Sequence, residues 1–288
     1  MTEPASSGPP LSGIDHTLVG VRDLEATRER WARLGFTSTP RGRHIGWGTA
    51  NYCIMLERGY IELLGIVDPS QFTNNLDKFL EGREGLMGLA FASVDPAATK
   101  ARLEAAGLHP DGPKDLKRRL ELPEGDALPA FRLLFLPKEE TPDLSAFVCC
   151  HLTPELIRRP EWLDHPNGAR ALHGMTVIVE NPPKTAAAYR AFFGPDCVQP
   201  IAGGAAVACG AERLRFITRE GFSALFPGLG DWPSYAPPFP AAMTLAVREP
   251  SHAMTHLWNR AIRAERDGDR IWVAPPDANG LVLEFVKG

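Results

Sequence analysis

Histidine and acidic residues occur in several predicted strands of this chain, where such side chains can bind a metal ion or transfer a proton. His16 lies in an alternating apolar run near the start, Glu62 lies in YIELLGI and His151 lies in FVCCHL. Because strand side chains alternate between two faces, His16 shares a face with Leu18, and Glu62 shares one with Leu64. An ionised carboxylate on a buried face is costly unless a partner pairs with it. These residues are therefore the first candidates for chemistry.

A second polar group lies in the segment HIGWGTAN, which contains His44, Trp47 and Asn51. One interpretation is a loop that contacts a substrate, with His44 joining Glu62 in proton transfer. The other interpretation is a plain turn, in which the glycines permit positive φ and Asn51 caps a bend. The sequence alone leaves both interpretations open.

The elements that position these residues repeat along the chain. Residues 13–36 are predicted to form a strand, a helix that stops at Gly35 and the start of a new strand. The same outline begins again at Gly85, His173 and Ala241. Each copy continues with further strand candidates, so the sequence predicts four βαβββ units.

Two units per domain fit the length of 288 residues. The predicted division is a disordered lead at 1–12, an N-terminal domain at 13–155 with units 13–68 and 85–155, a linker at 156–171, and a C-terminal domain at 172–288 with units 172–220 and 238–288. The segment 226–240, rich in proline and glycine, is predicted to be a loop long enough to form a lid or a cover.

Composition limits the function classes. The net charge of -4 gives no electrostatic footprint for nucleic acid, and no apolar run is long enough to cross a membrane. The first dozen residues lack the basic start and apolar core of a signal peptide, so we expect a cytoplasmic protein. The five cysteines are odd in number and show no CxxC spacing, which argues against a disulfide framework or a zinc knot.

The repeated unit, with histidine in a first strand and glutamate in a fourth, resembles the vicinal oxygen chelate (VOC) superfamily. Residues 44–66 and 151–169 are similar to its glyoxalase-like branch. The resemblance implies an α+β fold of two VOC domains (glyoxalase/bleomycin-resistance/extradiol dioxygenase-like) with curved mixed sheets. It also implies a divalent metal inside the sheet, held by residues of the first and fourth strands, that chelates two neighbouring oxygens of a small molecule. A homodimer is a candidate assembly.

Within such a fold the expected metal ligands are His16, Glu62 and His151, if the first two units share one sheet. Pairing of the first unit with the fourth would instead join His16 and Glu62 to Glu284, but short connections favour adjacent units. Two histidines and a carboxylate leave open positions on Fe, Mn, Zn or Ni. A register slip of one residue would turn Cys150 inward in place of His151.

His173 and Glu284 are secondary candidates in the second half. Counting back seven residues from the end of each first strand aligns His16 with Gly88, His173 and Ala242. Glu284 either lies at a fourth-strand ligand position or ends a strand in solvent. Because Ala242 lacks an imidazole, the second half is predicted to be a degenerate copy.

Two functions follow from the sequence. The first is a divalent-metal-dependent enzyme, of the lyase, isomerase or dioxygenase type, acting on a small molecule with vicinal oxygens. The missing histidine at Ala242 counts against the dioxygenase, since ring-cleaving members usually have a full ligand set in the second half. The alternative is a metal-free protein of the bleomycin-resistance type that binds and sequesters a small molecule. Metal content would separate the two.

Overall fold

The computed structural model of the chain describes residues 8–230, 232 and 235–288. The start of the predicted disordered lead therefore lies outside the described residues. The first half consists of β1 (Ile14–Gly20), α1 (Leu24–Arg33), β2 (Gly42–His44), β3 (Thr49–Met55), β4 (Tyr60–Ile66), α2 (Leu76–Gly82), β5 (Gly85–Ala92), α3 (Pro96–Ala105), β6 (Asp111–Leu120), β7 (Ala130–Phe135) and β8 (Ala146–His151).

The second half begins after two short 3₁₀ turns. It consists of β9 (Ala169–Ile178), α4 (Pro182–Ala188), α5 (Arg190–Phe193), β10 (Val198–Ile201), β11 (Gly204–Cys209), β12 (Glu212–Ile217), α6 (Arg219–Leu225), β13 (Phe239–Val247), α7 (Pro250–Asn259), β14 (Ala264–Asp267), β15 (Arg270–Val273) and β16 (Val282–Lys287). The four βαβββ units and the α+β fold predicted from the sequence are confirmed. No helix in the described part of the chain has the length and apolar character needed to cross a membrane.

The first helix shows how local sequence sets these boundaries. The side chain of Asp23 accepts a hydrogen bond from the backbone N–H of Ala26 and caps the start of α1. Trp31 is buried on the inner side of the helix. Gly35 follows with φ of 93°, a left-handed conformation that ends the helix and returns the chain toward the sheet.

The strands of the first half form a closed barrel in the order β1-β4-β3-β2-β6-β7-β8-β5. β1 is parallel to β4 and antiparallel to β5, so the first and second units share this barrel. Adjacent units therefore pair, and the alternative pairing of the first unit with the fourth is wrong. The domain boundaries themselves stay a prediction, although the two sets of strands divide between His151 and Ala169.

The second half forms an open sheet in the order β10-β11-β12-β9-β13-β16-β15-β14. A single apolar core joins one face of this sheet to the outside of the barrel, and its buried residues come from both halves. The indole N–H of Trp31 donates to the side-chain oxygen of Asn279 at 3.1 Å across the same boundary. The two halves are thus packed as one body.

The other face of the second sheet is covered by its own chain. Phe222 on α6 and Phe226 just after it pack with Trp272 and Phe239 over the strands. The described part of segment 226–240, predicted to be a lid or a cover, thus covers the second sheet.

Candidate functional site

The barrel of the first half encloses a cavity with about 720 Å³ of space free of protein atoms, counting its open mouth. Its polar lining includes His16, His44, Glu62 and Arg118, together with Thr49, Thr73 and Asn74. The rest of its lining is mostly apolar and includes Leu18, Trp47, Tyr60, Leu64, Leu76, Met87, Leu116, Phe131, Leu133, Phe135, Phe147 and Cys149. A mostly apolar cavity with a few convergent polar groups is typical of a small-molecule site.

His16 and Glu62 meet inside this cavity because of the register between β1 and β4. In the parallel pair, Leu18 lies opposite Glu62. His16 precedes Leu18 by two residues and therefore lies on the same face of the sheet. His16 Nε2 and Glu62 Oε2 are 3.6 Å apart, and both side chains are buried. The predicted sharing of faces by His16 with Leu18 and by Glu62 with Leu64 is confirmed, since all four line the cavity. Their role as metal ligands stays a prediction.

The other ring nitrogen of His16 is held by Asp15. The register between β1 and β5 shifts at Asp15, and this bulge lets two successive side chains interact. His16 Nδ1 lies 2.7 Å from Asp15 Oδ2, and His151 Nε2 lies 2.9 Å from the same oxygen. Burial alone would raise the pKa of Asp15, but hydrogen bonds from His151 and His16 hold it well below its ordinary value. Asp15 is therefore an ionised carboxylate that orients both imidazoles.

This arrangement can leave His16 and Glu62 facing each other without a hydrogen-bond donor between them. When Nδ1–H of a neutral His16 donates to Asp15, its Nε2 lone pair faces the Glu62 carboxylate. Burial would raise the pKa of Glu62, but the nearby His44, His16 and Arg118 lower it below its ordinary value. In that tautomer of His16, two groups that both accept hydrogen bonds face each other in a buried site. A proton, a cation or a substrate donor between them would relieve the repulsion.

His44 and Asn51 surround the other oxygen of Glu62. His44 Nε2 lies 3.7 Å from Glu62 Oε1, while its Nδ1 is hydrogen-bonded to Thr49 Oγ1 at 2.8 Å. Burial lowers the pKa of His44, which keeps its ring neutral near pH 7. The amide of Asn51 donates to Glu62 Oε1 at 2.5 Å. Asn51 is therefore a buried partner of the carboxylate, and the interpretation that it caps a bend is wrong.

Trp47 lies in the turn after β2, and its ring centroid is 5.6 Å from that of His44. It lines the cavity, as expected for a residue that contacts a substrate. Gly46 in the same turn has φ of 79°, so the conformational part of the turn interpretation holds as well. A substrate role for Trp47 stays a prediction.

Arg118 is a cavity residue that sequence reasoning missed. It lies on β6, opposite His44 on β2, and only 2% of its surface is exposed. Its Nη1 group donates to Asn51 Oδ1 at 3.1 Å and to Cys53 Sγ at 2.9 Å. The available signal was the alternation of Leu116, Arg118 and Leu120 within a charged run, which places the arginine on the apolar face.

His151 lies on the inward face of β8, in line with Phe147 and Cys149. Those two residues line the cavity, and Cys150 falls on the alternate face, so the register slip considered above does not occur. His151 bonds to Asp15 rather than to Glu62. Asp15, Cys149 and His151 are the one group of three among the described residues whose ligand atoms all lie within 4.8 Å of one another. The structure therefore does not place His151 in such a group with His16 and Glu62.

The second half shows why counting residues along the chain misplaces His173. His173 lies where the register between β9 and β13 shifts, just as Asp15 lies where the register between β1 and β5 shifts. Gly174, not His173, is therefore the counterpart of His16. A Cβ atom on Gly174 would lie 2.0 Å from the carbonyl oxygen of Arg213, so a side chain does not fit there.

The same register identifies the fourth-strand counterparts. In the first unit, Glu62 lies opposite Leu18, two residues after His16. In each other unit, the counterpart of Glu62 is the fourth-strand residue opposite the position two residues after the counterpart of His16. The first-strand positions hold His16, Gly88, Gly174 and Ala242, and the fourth-strand positions hold Glu62, Phe147, Arg215 and Glu284. Within the described residues, the first unit alone has a ligand-type residue at both positions.

Glu284 is fully buried in the second sheet, which contradicts the interpretation that its carboxylate ends a strand in solvent. Arg215 Nη1 lies 3.1 Å from Glu284 Oε2, and Arg270 Nε lies 2.7 Å from Oε1. Thr244 donates a further hydrogen bond at 2.6 Å. Burial would raise the pKa of Glu284, but Arg215 first, then Thr244 and Arg270, lower it. This carboxylate is already neutralised by the protein.

Comparison with known proteins agrees with this architecture. The model of the glyoxalase-like domain family matches residues 14–193, more than half of the chain. No curated protein matches the chain.

Among solved structures, a hypothetical protein from Staphylococcus aureus has a TM-score of 0.68 at 12% identity, with 96% of this chain and 99% of that one covered. A triple mutant of 4-hydroxymandelate synthase from Streptomyces coelicolor has a TM-score of 0.59 at 15% identity, covering 97% of this chain and 94% of that one. A fusion of a xylose isomerase-like TIM barrel with 4-hydroxyphenylpyruvate dioxygenase has a TM-score of 0.56 at 15% identity. This match covers 99% of this chain and 51% of the fusion protein.

These structural likenesses concern the fold, and the family match extends over the cavity residues of the first half. The chain belongs to the glyoxalase-like domain family of the VOC superfamily.

Proposed function

We propose that the chain is a divalent-metal-dependent enzyme of the lyase or isomerase type, acting in the first barrel on a small molecule with two adjacent oxygens. The observation that carries the proposal is the pair formed by His16 Nε2 and Glu62 Oε2, 3.6 Å apart in a buried cavity. An imidazole lone pair and an ionised carboxylate repel each other there unless a proton, a cation or a substrate donor lies between them, and we assign a divalent cation to this place.

The donor set fits such an ion. Asp15 binds Nδ1 of His16 and so fixes the ring with Nε2 toward Glu62. A carboxylate in the place of Asp15 is the usual outer partner of a metal-binding histidine. His151 supports this arrangement by bonding to Asp15 from the other side. His16 and Glu62 would hold the metal, and its open positions would be left for two substrate oxygens. A bound divalent ion would stabilise negative charge on those oxygens.

The remaining polar residues supply proton transfer and orientation. His44 is buried and neutral, and its Nε2 faces the cavity beside Glu62, so it can accept a proton from a bound substrate. Asn51 fixes the Glu62 carboxylate by donating to Oε1. The apolar wall surrounds these polar groups on the inner side of the barrel. In this proposal Trp47 contacts the substrate at the cavity mouth.

The second half supplies no equivalent site in this proposal. Arg215 occupies the position of Glu62, and Glu284 is already paired with two arginines. A dioxygenase with its metal in the second half is therefore not supported. The five cysteines are all free, which is compatible with the proposed cytoplasmic location.

Metal content tests the proposal. Protein purified without chelator and dialysed against Mn²⁺, Fe²⁺ or Zn²⁺ should retain about one ion per chain by elemental analysis. His16→Ala and Glu62→Gln should each fall below about a tenth of an equivalent, since each removes one ligand. His44→Gln should retain the ion, because this residue is assigned to proton transfer. His109→Ala, on an exposed histidine, is the matched control.

A metal-free binding protein is the second candidate, and one observation favours it. Gly88 and Phe147 occupy the second unit's counterparts of His16 and Glu62. Of the two units that form the barrel, the second therefore contributes no metal ligand at these positions. Wild-type protein with less than about a tenth of an equivalent of metal after dialysis would select this candidate and reject the enzyme.

A further inference from the structure

Arg118 is a buried cation that makes no direct ion pair among the described residues, and Asn51 connects it to the Glu62 carboxylate by accepting from Arg118 and donating to Glu62. No carboxylate of the described residues lies within 4 Å of its guanidinium nitrogens, and only 2% of the residue is exposed. Cys53 accepts a hydrogen bond from it, but burial raises the pKa of this thiol to about 11, so the sulfur is neutral. Buried charges in proteins are normally paired, because an unpaired one is strongly destabilising.

The unused donors of Arg118 share one edge of the guanidinium. Nη1 donates to Asn51 and Cys53, whereas Nε and Nη2, both buried, have no hydrogen-bond partner in the described part of the chain. Nε–H and the neighbouring N–H of Nη2 point in parallel, which is the geometry that binds both oxygens of a carboxylate. The ring of Phe131 lies 5.4 Å from the guanidinium carbon and packs on its face, so this contact does not use the edge.

We propose that this edge of Arg118 is the receptor for a carboxylate group, and that the ligand of the cavity is a small monocarboxylate with an apolar, ring-sized body. The body would lie against Phe131 and Leu116, which flank Arg118 on the cavity wall. This proposal names the substrate class of the site and rests on the proposed function for the adjacent metal.

The charges of the cavity agree with a single negative charge on the ligand. Among the carboxylates and the guanidinium at the site, Asp15 and Glu62 outweigh Arg118 by one negative charge. A divalent ion at His16 would reverse this to one positive charge, which a monocarboxylate neutralises. An uncharged ligand would leave one buried positive charge, and a dicarboxylate would leave one buried negative charge.

Paired ligands test the proposal on the wild-type protein. Benzoate, phenylacetate and 3-phenylpropanoate are each compared by calorimetry with their primary amides, which have nearly the same shape but no charge. At least one acid should bind about tenfold more tightly than its amide, as expected for a charge-assisted pair of hydrogen bonds. If no acid binds more tightly than its amide, the proposal is wrong.

Two neighbouring arginines provide matched variants. Arg118→Gln should abolish the preference for acid over amide, and Arg118→Lys, which keeps the charge without the two-donor edge, should retain only part of it. Arg119→Gln is the control, since Arg119 faces outward and pairs with Asp126 at 3.4 Å. Melting temperatures establish that the variants are folded. An unchanged preference in folded Arg118→Gln would overturn the assignment.

Repeating the titrations with chelator separates this proposal from the proposed function. A preference that survives without metal and disappears in Arg118→Gln supports the receptor even if the metal proposal fails. A preference that requires metal and is unaffected by Arg118→Gln shows that the carboxylate binds the ion, which overturns the receptor and leaves the metal proposal standing.

Discussion

At the scale of single residues, the site depends on neighbours that carry no chemistry of their own. His16 and Glu62 were found from residue type and strand alternation, because both lie on a face that the alternation makes inward. Asp15 was not found, since alternation predicts that the residue before His16 points away. A bulge at Asp15 interrupts the alternation and lets its side chain reach His16 and His151, and no feature of the sequence marks this bulge. Arg118 was missed because its charged neighbours made the segment look exposed.

The orienting role of Asp15 gives a prediction for metal affinity. Asp15→Asn preserves size and one hydrogen-bond acceptor but removes the charge that fixes His16. We expect metal affinity to fall about 10- to 100-fold, as for other outer partners of metal-binding histidines, and to remain measurable by competition with a chromophoric chelator. Asp126→Asn, on an exposed ion pair, should leave affinity unchanged. An Asp15→Asn protein with wild-type affinity would show that His16 does not bind the metal.

At the scale of elements, the hydrogen-bond register decides which residues face each other. The repeated unit was predictable, because its helices carry caps and apolar spacing that repeat in the sequence. The assignment of His173 was wrong by one residue, because the bulge in β9 inserts a residue that a count cannot see. His151 likewise lies beyond the fourth-strand position that Phe147 occupies. The sequence therefore predicted the helices and strands better than it predicted which residues are equivalent in the four units.

Phe147 offers a test of this register. Its ring lies edge-on to the His16 ring with centroids 5.6 Å apart, so a ligand at this position would face the proposed ion. Phe147→His should tighten metal binding by about tenfold or more, since it adds a third protein donor. Ala242→His, at the corresponding first-strand position of the fourth unit, should create no site, because Arg215 and Arg270 already neutralise Glu284. Equal metal binding by both variants would contradict the register.

At the scale of the whole molecule, two halves built from the same unit form different structures, a closed barrel and an open sheet. The preference for short connections correctly predicted that adjacent units pair. The sequence did not predict that one half closes into a barrel around a cavity while the other stays open and is covered by Phe222 and Phe226. That difference depends on long-range packing, since both halves contribute to one shared core.

Glu284→Gln tests whether the second half is structural. The substitution leaves Arg215 and Arg270 without their buried anion, and we expect the free energy of unfolding at pH 7 to fall by about 2–4 kcal/mol, below the full cost of a buried pair because both arginines are partly exposed. The folded-state pKa of Glu284 is lowered, so its contribution is complete above the ordinary value of about 4.3 and is lost as pH falls through the folded-state value. Urea titrations should therefore show a difference between wild type and variant that is largest near neutral pH and shrinks in acid.

The control for this comparison is Glu57→Gln, on an exposed pair with Arg170, which should cost less than about 1 kcal/mol. Metal content of folded Glu284→Gln should equal that of the wild type, because the proposed ion lies in the other half. Loss of the ion from this variant, without loss of folding, would mean that the second sheet contributes to the site, and the division of tasks between the halves would be wrong.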